Sequence, residues 1–218
     1  MCKDYIVGGI RERDSSVCIE LIAPDGNVQR CRLTPKLWNR YTFSSGDIIS
    51  EDIYREIASE SERCEAVTRA VRILSGSPCS ASALFGKLRR AGYSAESSEA
   101  AVQTVLRRGL INEVREASRY AQNTAVRSRR GPARIIHDLI LRGYPRDVAR
   151  EAASSVPAEV YDAVLCELIS RKCPDGVPSD RYERERLIAS LVRAGFGSGD
   201  IMRAIAHLGA DRSEKRES

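Results

Sequence analysis

The chain has 218 residues with 35 Lys and Arg against 30 Asp and Glu, giving a net charge of +5. Aromatic residues make up only 6% and charged residues 30%. That balance favours helices packed through Leu, Ile, Val and Ala over an aromatic-rich sandwich, and the small basic excess permits a polyanionic partner without demanding one. No apolar run reaches the length of about 18 residues needed for a membrane-spanning helix. The first residues, MCKDYIVGGIRERDSS, lack the apolar stretch of a secretion signal, so a cytoplasmic protein with no membrane partner is expected.

Seven cysteines are present, at Cys2, Cys18, Cys31, Cys64, Cys79, Cys166 and Cys173, and no two of them form a CxxC pair. With only His137 and His207 to join them, no zinc-ligand spacing exists. Reduced cysteines are expected, with no metal and no cofactor.

In chain order, Val17–Ala23 alternates as a strand, Pro24-Asp-Gly-Asn27 carries turn chemistry, and Val28–Leu33 reads as the returning strand. This hairpin must pack on something, because two strands alone are marginal in water. Thr34-Pro35 reads as the cap and first turn of a short helix through Tyr41. A helix follows from Ser50, with acids in its first turn. Another is expected over residues 61–74, with Val67, Val71 and Leu74 on one side.

Three later segments share one pattern: LFGKLRRAGY from Leu84, IIHDLILRGY from Ile135, and LIASLVRAGF from Leu187. Each has an aliphatic residue eight before a glycine and a leucine four before it (Leu88, Leu139, Leu191). Each glycine (Gly92, Gly143, Gly195) precedes an aromatic ring (Tyr93, Tyr144, Phe196). The glycines lie 51 and 52 residues apart. Residues four apart share one helix face, and a glycine past the last turn suits the left-handed cap. A second helix follows each time, with apolar or small positions at Ser98, Val102 and Val105, at Ala149, Ala153 and Val156, and at Ile201, Ile205 and Leu208. A further helix precedes each pair, over residues 61–75, 112–129 and 157–172, with a loop at 172–179.

The chain thus reads as mainly α. Tandem three-helix repeats of about fifty residues form an elongated curved stack, and a small N-terminal β-hairpin precedes them. The expected parts are a hairpin and short helix over 1–49, a linking helix and first three-helix unit over 50–110, a second unit over 111–156, a third over 157–209, and a disordered tail over 210–218.

Arginines mark the helix ends. Arg127, Arg129 and Arg130 lie just before Gly131-Pro132, where no core claims them, and Arg134 follows. Arg89 and Arg90, Arg107 and Arg108, and Arg142 occupy other helix ends. The run at 127–130 reads either as a solvated helix end or as a grip for phosphates or carboxylates through forked hydrogen bonds. A basic side spanning the first two units is one arrangement these residues allow. The paired helices have the size of a helix-turn-helix, but the second helix of the first unit opens SAESSEAA, and Glu96 and Glu99 there would repel phosphates. SALFGKL near Gly86 lacks the first glycine and the Ser or Thr of a phosphate loop. His137 has no triad-like partner, so no catalytic residue is assigned and the expectation is a protein that is not an enzyme.

Leu110-Ile-Asn-Glu113, Ala117, Gly131-Pro-Ala-Arg-Ile135 and Leu139-Ile-Leu-Arg-Gly-Tyr144 together resemble the RecX family of recombinase regulators, as do the N-terminal hairpin, SGDIISEDI and LVRAGF. The likeness covers nearly the whole chain. The family pattern has an acidic pair where this chain has Asn112 and Glu113, and an aromatic residue where it has Glu116; Tyr120 lies one turn later. The resemblance implies a non-enzymatic monomer that binds RecA recombinase, lies in the groove of the RecA–DNA filament, and inhibits ATPase, strand exchange and filament growth. A stand-alone DNA-binding helical protein, on single- or double-stranded DNA, and a protein-interaction scaffold are the alternatives.

Overall fold

The computed structural model describes residues 4–13 and 16–217 and divides into two compact units, residues 1–111 and 112–218. Each is described by itself. The first begins with β1 (Tyr5–Arg13), β2 (Ser16–Ile22) and β3 (Val28–Leu33), continues through α1 (Pro35–Tyr41) and β4 (Ile48–Ile49), and ends with α2 (Glu51–Gly76), α3 (Ala81–Arg90) and α4 (Ala95–Arg107). The second holds α5 (Glu113–Arg127), α6 (Pro132–Leu141), α7 (Arg146–Ser154), α8 (Ala158–Lys172), α9 (Arg181–Arg193) and α10 (Ser198–Glu217).

The expected hairpin is β2 and β3, paired from Ile22 opposite Val28 to Val17 opposite Leu33. It is half of a four-stranded antiparallel sheet in the order β3-β2-β1-β4. The additional strand β1 carries Gly8 and Gly9, and its pairing with β2 shifts register between Val7 and Ile10. A bulge of this kind disrupts the two-residue alternation on which strand recognition depends. Alternation holds elsewhere: Val17, Ile19 and Leu21 point into a core with Val7, Cys31, Leu33 and Ile49. Leu37 of α1, Phe43 and Ile57 of α2 close that core, so the hairpin packs on helices as its marginal stability requires. The edge strand β3 is also tied to α2, because the Arg32 backbone N–H donates to Ser61 Oγ at 2.8 Å.

The two helices expected from Ser50 and over 61–74 are one continuous helix, α2. Between Glu51 and Ser75 it holds no glycine or proline to break it. Its last turns join α3 and α4 around Ala66, Ala70, Leu84, Leu88, Val102 and Val105. The trio α5–α7 encloses Ala117, Ala121, Ile135, Leu139, Ala149 and Ala153, and α8–α10 encloses Leu165, Ile169, Leu187, Leu191, Phe196 and Ile201. Leu88, Leu139 and Leu191 are each 0% exposed, and a buried leucine contributes about 1.5–3 kcal/mol. Of the positions expected on the second helices, Ser98, Val102, Val105, Ala149, Ala153, Val156, Ile201 and Ile205 are buried, and Leu208 packs partly against the third core.

The three glycines close their helices identically. Gly92, Gly143 and Gly195 have φ of +98°, +83° and +98°. The next N–H reaches back to the key leucine: Tyr93 to Leu88 O, Tyr144 to Leu139 O, and Phe196 to Leu191 O, at 3.3, 3.1 and 3.2 Å. This is the Schellman arrangement, and it places the aromatic ring over the end of its own helix. α10 continues to Glu217 where a disordered tail is expected; beyond Gly209 its sequence, ADRSEKRE, contains no breaker.

Candidate functional site

The connection between α5 and α6 holds the densest group of the expected arginines. α5 starts at Asn112, whose side chain accepts from the Arg115 N–H at 3.0 Å, with Glu113 and Glu116 in the first turn where the helix dipole favours them. It ends at Arg127. Ser128 follows as cap, and Arg129 turns the chain with φ of +50°. Gly131 and Pro132 then open α6.

Arg127 is exposed and Arg130 half-buried, and neither forms an ion pair with another described residue. Arg129 joins no hydrophobic core either, but its guanidinium is engaged. Its Nε and Nη2 both donate to Glu167 Oε1 of α8, at 2.9 and 2.6 Å. The hydrogen bond to Glu167 raises the Arg129 pKa and holds the Glu167 carboxyl below its ordinary value. Arg129 therefore ties the turn to the third trio. Glu167 lies 38 residues away and carries no local signal of this role.

Gly131 makes the second tie. Its N–H donates to Ala194 O at 2.8 Å, and the Ala133 N–H donates to Gly195 O at 3.1 Å. A β-carbon on Gly131 would stand 2.4 Å from Gly195 C, and one on Gly195 would stand 2.4 Å from Arg134 N. The N-terminus of α6 is thus seated on the capped C-terminus of α9, positive end to negative end. These two backbone donors are engaged and do not offer an anion site. Any grip on phosphate or carboxylate here falls to the side chains.

The other arginines are spread along their helices. Arg134 Nε pairs with Asp138 Oδ1 at 3.0 Å within α6. Arg142 lies beyond the far end of that ten-residue helix, about 15 Å along its axis from the turn. Its guanidinium sits 4.4 Å from the centre of the Tyr120 ring, a cation–π contact. Tyr120 also packs against the core, one turn after Glu116. In the first unit, Arg89 donates to Tyr93 O, and Arg90 is exposed with no ion pair among the described residues. Arg107 reaches Thr104 Oγ1 at 3.4 Å, and Arg108 is exposed. The pairs at 89–90 and 107–108 flank opposite ends of the 13-residue α4, so they are about 20 Å apart and do not converge.

The start of α4 is acidic, as its sequence implies. Ser94 N–H, Ser94 Oγ and Ser97 Oγ donate to the Glu62 carboxylate at 2.7, 2.6 and 2.7 Å. Burial pushes Glu62 up, but these three hydrogen bonds, with Arg89 nearby, outweigh it and hold its pKa below the ordinary carboxyl value. Glu96 pairs with Arg63. A helix opening surrounded by two carboxylates repels phosphate, and this argues against its use as a DNA-reading element.

Among the described residues no group of His, Cys, Asp and Glu is placed to hold a metal ion, and no helix is long and apolar enough to cross a membrane. The fold defines a mainly helical protein of three-helix units with a small N-terminal antiparallel sheet. No family model matches the chain. It is 26% identical over 152 residues to the regulatory protein RecX of Prosthecochloris aestuarii, covering 69% of this chain and 97% of that protein. It is 32% identical over 128 residues to the regulatory protein RecX of Pseudomonas syringae pv. tomato, covering 59% of this chain and 81% of that protein. The fold resembles a crystal structure of regulatory protein RecX with a TM-score of 0.72 at 19% identity, covering 93% of this chain and 99% of the other. It also resembles RecX from Lactobacillus salivarius, with a TM-score of 0.61 at 20% identity over 68% and 97%. The chain belongs to the RecX family of regulatory proteins.

Proposed function

We propose that this chain is a negative regulator of RecA recombinase. It binds the RecA monomer or the groove of the RecA–DNA filament and inhibits ATPase activity, strand exchange and filament growth. The observation that carries this reading is the match to regulatory RecX proteins over 81–97% of their length. The helical units support it, since repeated modules offer repeated contact surfaces to a polymeric partner. Arg127 and Arg130 are the leading contacts, with Arg90 and Arg108 as contacts from the first unit. Arg129 holds the turn that presents the first two.

The test replaces Arg127 and Arg130 together by alanine and leaves Arg129 in place to keep the turn. The expected outcome is weaker inhibition of the single-stranded-DNA-dependent RecA ATPase by a variant with unchanged helical circular dichroism. Full inhibition by that variant removes these two residues from the mechanism. The exposed arginines also favour a second reading, direct binding of DNA. That reading requires affinity for DNA without RecA, falling steeply as salt rises. The first reading requires inhibition under conditions where no such affinity is measured.

A further inference from the structure

The outward face of the N-terminal sheet carries a feature that regulation through the helix-end arginines does not use. Ile6 of β1 stands opposite both Ile22 of β2 and Ile48 of β4, and Ile22 stands opposite Val28 of β3. Residues directly opposite one another project to the same side of a sheet. Their neighbours Val7, Leu21 and Ile49 are buried on the other side, in the core. Four aliphatic side chains therefore form one row across all four strands, about 14 Å from end to end at the usual strand spacing. Ile6, Val28 and Ile48 are 44, 58 and 70% exposed, and Ile22 is half-buried.

Toward the other ends of β2 and β3 the unpaired charge on this face is cationic, whereas the exposed Asp4 immediately precedes β1 on the opposite side of the row. Next on the same face come Glu20 and Arg30, paired at 3.0 Å, with Glu20 lying over Gly9. Beyond them Arg11, Cys18 and Arg32 stand opposite one another. Arg11 and Arg32 are exposed and form no ion pair with another described residue. The face is thus aliphatic at one end and cationic at the other, and its only carboxylate among these rows is already paired.

We propose that this face docks a protein segment bearing aliphatic side chains beside carboxylates. The aliphatic row matches the alkyl groups, and Arg11 and Arg32 match the acids. Nucleic acid fits less well: sheets that bind single strands stack bases on rings, and none of the positions named on this face is aromatic. A lipid surface fits less well too, because the row offers no Trp, Phe or Leu.

The full chain, isotope-labelled at its methyl groups and amides, is titrated with a peptide alternating Leu and Glu. Its Leu/Gln counterpart, an oligo-dT strand and anionic phosphatidylserine vesicles are titrated separately. The Leu/Glu peptide is expected to shift Ile6, Ile22, Val28 and Ile48, and the Leu/Gln peptide to bind severalfold more weakly. Arg11→Ala with Arg32→Ala should erase that preference, and Val28→Glu with Ile48→Glu should abolish the shifts. Both aliphatic positions in the last variant are exposed, so its amide spectrum should remain that of the folded chain. The proposal is overturned if the row does not respond, if the two peptides bind equally, or if oligo-dT or vesicles shift it instead. RecA is absent throughout, so the result is independent of the regulatory reading.

Discussion

Six alanines line the interior of α5–α7 around Ile135 and Leu139, whereas α8–α10 fills the same space with Leu165, Ile169, Leu187, Phe196, Ile201 and Ile205 around Leu191. Both trios nevertheless close their middle helix with the same glycine, the same backward N–H bond and the same fully buried leucine. What the unit fixes is therefore the cap and one leucine. The remaining volume is supplied either by large side chains or by helices that approach closely over alanine, and both solutions reach the close packing that interiors require.

Removing the shared leucine from each trio separates the two packing solutions most strongly. Leu139→Ala is expected to cost about 4–5 kcal/mol, near the top of the range for such changes, because neighbouring alanines have no side chain to move into the cavity. Leu191→Ala, among longer and more adaptable neighbours, should fall nearer about 3 kcal/mol. Urea denaturation measures both, and the reverse order would refute the difference in packing.

Gly195→Ala comes next. At Gly92 a β-carbon meets open space, so alanine there should cost only the left-handed backbone penalty of about 1–2 kcal/mol. At Gly195 the same penalty is joined by a collision with the Arg134 backbone. Equal thermal destabilisation of the two variants would show that α6 is not seated on the end of α9.

Ala153→Leu should destabilise the α5–α7 interior by about 1–3 kcal/mol through overpacking. Ala204→Leu in the third trio, at a position that retains some exposure, should cost less. Arg129→Ala should have a smaller effect than any of these, and one that shrinks as salt rises, since its pair with Glu167 is solvent-screened. The smallest expected effect concerns pH. Glu62 has a depressed pKa in the folded chain. Its contribution is therefore complete above the ordinary carboxyl pKa and lost as pH falls through the lower folded value. Glu62→Gln should flatten that part of the acid limb in a stability-against-pH profile, and an unchanged limb would remove Glu62 from it.

The helical units were legible in the sequence because their signals are local. A leucine, a glycine four residues on and a ring after it fix a face and a stop within a single turn or two. The strand β1 was not legible, since Gly8-Gly9 interrupts its alternation, and β4 is only two residues long. The sequence pattern suggests two helices, from Ser50 and over 61–74, where one long helix α2 runs. In the structure Ser61 faces β3, where its hydroxyl accepts a strand N–H. At the candidate site the arginines were visible but their partners were not. Glu167 and Gly195 reach Arg129 and Gly131 only through packing of the second trio on the third, across 38 and 64 residues of chain. Long-range pairing of this sort leaves no pattern in a single sequence.

Whether this chain acts on RecA is measured most directly by titrating the purified full chain into RecA hydrolysing ATP on single-stranded DNA. The predicted result is a progressive fall in hydrolysis as the chain is added, at salt concentrations where the chain alone does not bind the DNA. A rate that stays constant up to a molar excess of the chain over RecA would contradict it.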